Sequence, residues 1–395
     1  MSDDAIVIVD GARTPMGGFQ GDLAAVTAPQ LGSGCISAAI ERAGIAPADV
    51  DEVLIGCVLP AGLGQAPARQ ASLGAGIPEK AGCTTVNKMC GSGMKAIMIA
   101  HDLLVAGSNQ VMLAGGIESM SNAPYLLPKL REGLRMGHGE VKDHMFLDGL
   151  EDAYEPGKLM GHFAEKTATH YQFTREAQDD YAIESLRRAQ IAISTGCFDN
   201  EIQPITVSHR KGDVLVSTDE QPPKADADRI RGLKPAFAKN GTVTAANASS
   251  ISDGAASVVM MRQSEAERRM LTPRARILAH SSHAQEPQWF TTAPVFAIEK
   301  LLAKINKQAG QIDLYEINEA FAVVAMAAIK ELGIGHDQVN VHGGACALGH
   351  PIGASGARIV VTLLNALDRH DLRLGVASLC IGGGEATAIA LERIN

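Results

Sequence analysis

Short apolar, β-branched runs alternate along most of the chain with longer stretches whose apolar residues recur at helical spacing. In the first part, Ala5–Val9 predicts a strand, and Ala28–Ala43 predicts a helix with Leu31, Ile36, Ala39 and Ile40 on one face. Val53–Leu59 predicts a strand, Gly91–Ala106 a helix and Val111–Ala114 a strand. In the last part, Ala275–Ala279 predicts a strand and Val295–Ile305 a helix. Leu314–Ile317 predicts a strand, Gly356–Ala366 a helix and Gly375–Leu379 a strand. Strands and helices in alternation are the signature of α/β architecture with a parallel sheet.

The middle, from about Met120 to Thr244, breaks this alternation and is richer in charge, Tyr, His and Met. Its one long amphipathic stretch is Arg175–Ala192, with Thr174 placed to cap it. Arg210–Asp213 and Asp219–Pro223 read as surface turns. The pattern predicts an insertion that leaves the first domain near Met120 and returns near Asn247. Ala255–Met261 then adds a strand to that domain.

The two outer lists of elements run in the same order. Ser92-Gly93-Met94-Lys95 resembles Ser355-Gly356-Ala357-Arg358 at an offset of 263 (92 to 355). The first strands are offset by 270 (5 to 275), and the pairs Gly115-Gly116 and Gly382-Gly383 by 267 (115 to 382). Unrelated α/β segments share some of this likeness; the common order favours an internal duplication.

Composition narrows the class. The 395 residues are 46% hydrophobic and 20% charged, enough for two or three domains and too apolar for a disordered chain. The longest unbroken apolar run, Ala320–Ile329, falls well short of the ~20 residues that cross a membrane, so no membrane partner is expected. A net charge of -9 argues against a nucleic-acid partner, because there is no basic field to neutralise phosphates. The acidic start Met1-Ser2-Asp3-Asp4 is unlike a signal or transit peptide, and Arg393-Ile394-Asn395 is no peroxisomal address, so the expected location is cytoplasmic. Seven widely spaced cysteines with no Cys-x-x-Cys pair predict neither a disulfide framework nor a structural zinc site. Each defaults to a small buried core residue unless its surroundings say otherwise.

Four segments supply such surroundings. Asn87-Lys88-Met89-Cys90-Gly91-Ser92-Gly93 ends a strand-like approach and opens a helix, where free N–H groups and the helix dipole favour a thiolate. A buried helix-start cysteine is the plain alternative. Asn340–Gly356 is a glycine-rich loop holding His350 between Gly349 and Pro351. Such loops also cradle phosphates, but there is no Gly-Lys-Ser/Thr and no correctly placed Gly-x-Gly-x-x-Gly. In Ser378-Leu379-Cys380-Ile381-Gly382-Gly383-Gly384 a cysteine follows a strand and bare backbone follows the cysteine. In Glu316-Ile317-Asn318-Glu319-Ala320-Phe321 a strand turns into a helix.

Together, and in this order, these motifs resemble the thiolases, and among them the acetyl-CoA acetyltransferases. The resemblance spans the chain through Arg13-Thr14-Pro15, Ser121–Tyr125, Gly241–Thr244, Asn247-Ala248-Ser249, Asn318–Phe321, Gly349-His350-Pro351 and Cys380–Gly384. It implies an α/β fold of two duplicated βαβαβαββ domains in α-β-α-β-α layers with an inserted loop domain. On this chain the domains fall at 1–120 plus 247–271, 272–395, and the loop domain at 121–246.

The resemblance also implies the activity: reversible Claisen condensation of two acetyl-CoA to acetoacetyl-CoA and CoA, and the reverse thiolysis. Cys90 is implied as the nucleophile that becomes an acyl-enzyme, His350 as its base, and Cys380 as the acid/base for the second substrate. A thiol near its ordinary pKa of ~8.5 suits the Cys380 role. The N–H groups of Cys90 and Gly382 are implied as oxyanion donors, with His350 and a water held by Asn318 facing the enolate. A side chain at Gly382 is expected to obstruct that hole. Ser249, Met160, Phe237, Phe321 and Lys224 are implied for CoA and substrate binding. The CoA thioester is a substrate, and neither cofactor nor metal is expected. The implied oligomer is at least a dimer, and a tetramer (a dimer of dimers) through Ser121–Gly149.

Leu159 before Met160-Gly161, Pro222-Pro223 before Lys224, and bulky Trp289-Phe290 depart from the family pattern. They leave the chemistry intact and bear on acyl length, for which a short chain is expected. The alternatives are a degradative 3-ketoacyl-CoA thiolase of broader chain length, a decarboxylating condensing enzyme, a thiolase-like lipid or CoA carrier without turnover, and a redox-sensing Cys90–Cys380 pair.

Overall fold

A computed structural model describes residues 4–394; Met1–Asp3 of the acidic start and the terminal Asn395 lie outside the described residues. The first half runs β1 (Ile6–Arg13), α1 (Ala28–Ala43), β2 (Glu52–Gly56), α2 (Pro67–Gly74), β3 (Gly82–Val86), α3 (Ser92–Ala106) and β4 (Val111–Ser119). An excursion carrying α4 (Met160–Tyr171) and α5 (Arg175–Ser194) follows, and the chain re-enters the sheet at β5 (Ser252–Arg262). The second half runs β6 (Ala275–Ala284), α6 (Ala293–Lys304), β7 (Leu314–Ile317), α7 (Ala322–Leu332), α8 (Ser355–Arg369), β8 (Leu374–Ile381) and β9 (Glu385–Arg393).

The strand order is β7-β8-β9-β6-β1-β5-β4-β2-β3, and the halves join where β1 pairs antiparallel with β6. Each half repeats one scheme: its first strand, last strand, penultimate strand and second strand lie side by side. The second half shortens its outermost strand to a single bridge between Tyr315 and Val339. Three apolar cores separate the layers. One lies beneath α1, and another beneath α6 and α7. The third unites α3 and α8 with strands of both halves. That is the α-β-α-β-α arrangement.

The two central helices touch at counterpart positions. A Cβ at Gly93 would lie 2.9 Å from the Ala357 nitrogen, and one at Gly356 would lie 2.5 Å from the Met94 nitrogen. Only glycine permits this approach. The contact bears out the offset of 263 (93 to 356) as spatial pseudo-symmetry.

Two long strands of the main sheet eluded the sequence pattern. Gly-Cys-Thr-Thr-Val of β3 is a half-exposed edge strand, and Ala-rich β9 has helix propensity that its two strand partners override. Predicted Val53–Leu59 ends at Gly56 because Val58 and Leu59 turn their N–H groups out of the sheet onto Glu118. The Thr174 cap forms, its hydroxyl accepting from the Ala177 N–H at 3.1 Å. The window Met89–Ala106 is long and apolar enough by composition to cross a membrane, which the run-length argument overlooked. Most of it is α3, packed between the two halves.

Candidate active site

Cys90 sits where the loop from β3 meets α3. Met89 before it takes a left-handed φ of 47°, and Ser92 Oγ donates to the Met89 carbonyl at 2.6 Å. Lys88 is ion-paired to Glu385, which ties this loop to the start of β9. Cys380, next to last in β8, is buried within electrostatic reach of Cys90. The N–H groups of Gly382 and of Cys90 itself both point at the Cys90 sulfur. Two sulfurs and two backbone donors therefore converge from opposite halves.

His350 enters on the loop before α8 and is buried. Ser355 Oγ donates to the Pro351 carbonyl at 3.0 Å and lies 2.5 Å from His350 Nδ1. The hydroxyl proton is thus spent on Pro351, so the Ser355 oxygen accepts the proton of Nδ1–H. That tautomer leaves a lone pair on Nε2, which is buried and has no partner among the described residues. Burial, then the nearby Arg358 charge, push the His350 pKa down to about 3, so the ring is neutral. Asn318 is fully buried; its Nδ2 lies 3.4 Å from His350 Nδ1, and its Oδ1 accepts from Arg358 at 3.4 Å. Ile352, two residues past His350, packs in the same apolar cluster as Met89 and Cys90.

Two electrostatic expectations change. Burial pushes the Cys90 thiol up to about 11 and outweighs the two N–H groups at the helix start, so the resting group is a thiol. Burial, then the proximity of Cys90, raise Cys380 well above the ordinary range. Each sulfur needs a proton acceptor beside it to react. The expected obstruction at Gly382 is also revised. A Cβ there would meet only Met160 Sδ at 3.6 Å, ordinary contact, so it would intrude on open space and not on protein.

Met160, Phe237 and Phe321 gather into one apolar wall. Met160 faces Gly382, and Phe237 meets Phe321 edge to face with ring centroids 6.0 Å apart. Buried Phe290 closes the far side of Phe321 at 6.4 Å. Ser249 borders this wall with its hydroxyl donating to the Ala320 carbonyl at 3.0 Å, which leaves its lone pairs to receive. Lys224 does not join the group. It is exposed and paired to Glu220 at 2.7 Å and to Asp22 at 3.4 Å. Trp289 lies outside, under Lys166 Nζ at 4.6 Å, in a surface groove of about 450 Å³ that contains none of the converging residues.

Sequence reasoning missed the residues that hold the site in place. Arg358 is the one charge in the buried stretch Ser355–Leu367 of its helix, and it reaches Glu316 at 3.4 Å as well as Asn318. Glu118 is a lone acid on a buried strand. An isolated charge inside an apolar run was the available signal in both. His101, Asp102 and His280 offer three metal-ligand atoms within 4.8 Å of one another. Asp102 Oδ1 already engages both rings, at 3.0 and 2.9 Å, so the trio is satisfied by hydrogen bonds.

Residues 6–264 match the thiolase N-terminal domain, and residues 271–393 match the thiolase C-terminal domain. Acetyl-CoA acetyltransferase 2 of Arabidopsis thaliana is 52% identical over 98% of this chain and 96% of its own. The acetyl-CoA acetyltransferase of Cupriavidus necator is 49% identical over 98% of this chain and 99% of its own. The crystal structure of the Bacillus anthracis acetyl-CoA acetyltransferase superposes with a TM-score of 0.96 at 41% identity, covering 99% of both chains. That of Acat5 thiolase from Ascaris suum in complex with coenzyme A gives 0.93 at 42% identity, covering 99% of this chain and 100% of that one. With both domains matched end to end and the fold shared throughout, this chain belongs to the thiolase family.

Proposed function

We propose that the protein is an acetyl-CoA C-acetyltransferase that joins two acetyl-CoA into acetoacetyl-CoA and CoA, and runs the reverse thiolysis. The observation that carries this reading is Cys380 buried within electrostatic reach of Cys90, with the unpartnered Nε2 of His350 on the loop whose Ile352 packs in the Cys90 cluster. Nε2 takes the Cys90 proton as the sulfur attacks the thioester carbonyl. A new C–S bond forms on Cys90, the C–S bond to CoA breaks, and the proton passes to the departing CoA thiolate. The N–H groups of Cys90 and Gly382 receive the developing oxyanion; one such donor is worth about 2.7–4 kcal/mol of barrier. Nε2, neutral again, takes the Cys380 proton, and the Cys380 thiolate then removes a proton from the methyl carbon of a second acetyl-CoA. The resulting carbanion attacks the acyl-Cys90 carbonyl, a C–C bond forms, and the Cys90 sulfur leaves and regains the proton held on Nε2. Asn318 beside His350 is placed to steady the enolate oxygen.

The aromatic wall of Phe237, Phe321 and Phe290 supports a short acyl group. Ser249 is the candidate pantetheine contact, and no cofactor beyond the CoA thioester substrate is invoked. Lys224 stays in the reading only as a surface cation of the insertion, released from Glu220 if it is to meet a CoA phosphate. Exposed Tyr125, Leu127, Leu130, Met136 and Val141, around the Tyr125–Leu126/Lys142–Asp143 hairpin, support assembly of copies into a tetramer. All seven cysteines are free, which suits a reducing cytoplasm. Steady-state thiolysis across acyl lengths tests the reading. Acetoacetyl-CoA should be cleaved faster than longer 3-ketoacyl-CoA; a faster long-chain reaction favours the degradative thiolase, and no turnover sinks the assignment.

A further inference from the structure

Glu118, at the end of β4, is fully buried. Its Oε2 accepts the N–H of Val58 at 3.0 Å and of Gly353 at 2.9 Å. Its Oε1 accepts the N–H of Leu59 at 3.1 Å and the Cys57 thiol at 3.7 Å. Among the described residues, no lysine, arginine or histidine is hydrogen-bonded to it; its partners are three backbone N–H groups and a thiol. Three of the donors belong to the half that carries Cys90. The fourth, Gly353, is on the loop that carries His350. The crossing is tight: a Cβ on Gly353 would lie 2.6 Å from Glu118 Oε2 and 3.1 Å from the Cys57 Cα. Val58, Leu59 and Ile352, held by these bonds, form the apolar cluster against which Cys90 rests.

We propose that Glu118 is a positioning residue that, as a carboxylate, ties the His350 loop to the Cys90 half and so fixes thiol against imidazole during acyl transfer. This rests on the reading of Cys90 and His350 as the acyl-transfer pair. The hydrogen bonds of the pocket favour the anion, since all four groups bonded to the carboxyl donate and none accepts. A proton on either oxygen would displace one of the N–H bonds, and the Gly353 bond is the only one that spans the halves. Burial pushes the carboxyl up to about 7 against the pull of the Val58, Leu59 and Gly353 N–H groups and the Cys57 thiol. The other titratable group near it is Cys90, which feels the charge of Glu118. The clamp therefore loosens as pH falls through neutrality.

The experiment is the pH profile of acetyl transfer to Cys90 in wild type, Glu118→Gln and Cys57→Ala. Wild type should lose kcat on the acid side of about pH 7. Glu118→Gln should lower kcat about 10²-fold, the scale of a misplaced reacting pair, with KM for acetyl-CoA unchanged and that acid limb gone. Cys57→Ala removes one donor, so its acid limb should move to higher pH. A wild type with no acetyl transfer overturns the functional reading itself. An active wild type beside a Glu118→Gln of equal kcat, or one weakened with its limb in place, overturns the clamp alone. Should Glu118→Gln fail to fold, Cys57→Ala decides: a limb that moves up supports the clamp and an unmoved one overturns it.

Discussion

The helices Ser92–Ala106 and Ser355–Arg369 are counterparts that meet at the centre of the molecule, and each begins beneath a loop. Two residues before the first serine stands Cys90; two before the second stands Gly353. In the first half the loop opens toward the partner half and presents a sulfur to two N–H groups. In the second half the same place is closed, because the Gly353 N–H is given to Glu118 and a Cβ there would run into the Ile117 carbonyl and the Cys57 Cα. His350 stands three residues earlier on this loop, its Nε2 buried and unpartnered among the described residues. A helix start is therefore not enough to make a reactive cysteine, since burial leaves the Cys90 thiol pushed up to about 11. Reactivity arises from two unlike loops brought together by like helices.

The strongest way to break this comparison is to move the sulfur. Cys90→Ala should lower turnover by at least about 10⁴-fold, as removal of a nucleophile does. Adding Gly353→Cys to that variant should restore nothing, because the new Cβ would lie 2.6 Å from both Glu118 Oε2 and the Ile117 carbonyl. Acetylation of the double variant by acetyl-CoA, read by intact-protein mass, would show that the two positions are interchangeable after all.

Next comes His350→Gln, with an expected loss of roughly 10²–10⁴-fold in kcat. The two loops should also answer pH with opposite signs. The His350 pKa falls to about 3 in the folded protein, below its unfolded value of ~6.5. Its contribution to stability is present above pH ~6.5 and is lost as pH falls toward 3. The Glu118 pKa rises from 4.5 to about 7, so its contribution is present below 4.5 and is lost as pH rises through 7. Urea midpoints from pH 4 to 8 should therefore flatten on the acid side in His350→Gln and on the neutral side in Glu118→Gln. Parallel curves for both variants would refute the assignment of signs.

Much of this contrast was legible before the fold was known, and what was not follows from its physics. Helices such as Ala28–Ala43 and the strand Leu314–Ile317 showed their ends in the apolar period and the flanking residues. Cys90, His350, Asn318 and Cys380 stood out because glycines and a proline framed them. Glu118 and Arg358 showed only as charges inside apolar runs, and Ser355 not at all, because what each holds emerges only when the halves pack and bury it. The direction of the Cys90 shift was misread for the same reason: dipole and N–H groups are local, whereas burial is supplied by the whole fold. Lys224 was placed by its neighbours in sequence, and its acidic partners at Asp22 and Glu220 emerged only with the fold.

Glycine at the two loops gives a smaller, finer separation. Gly353→Ala forces a Cβ against a carboxylate oxygen and backbone, neither of which is free to yield. Overpacking of this kind costs about 1–3 kcal/mol, so the thermal midpoint should fall while wild-type folding is intact. A variant as stable as wild type would mean that the loop has room the structure does not show.

Gly382→Ala should be the mildest of all for stability and still be felt by the substrate. The added methyl meets only the thioether of Met160 at 3.6 Å, and methionine is flexible enough to accept it, so stability should stay within about 0.5 kcal/mol. The N–H of residue 382 remains to point at Cys90. What changes is the space between Met160 and the two sulfurs, where an acyl group must sit. One methyl in such a pocket discriminates on the order of tenfold. The loss should therefore appear in kcat/KM for acetoacetyl-CoA, and grow with acyl length, while the melting curve stays in place. A variant with unaltered kcat/KM would put the acyl group elsewhere, and with it the claim that the second half contributes an open edge where the first contributes a thiol.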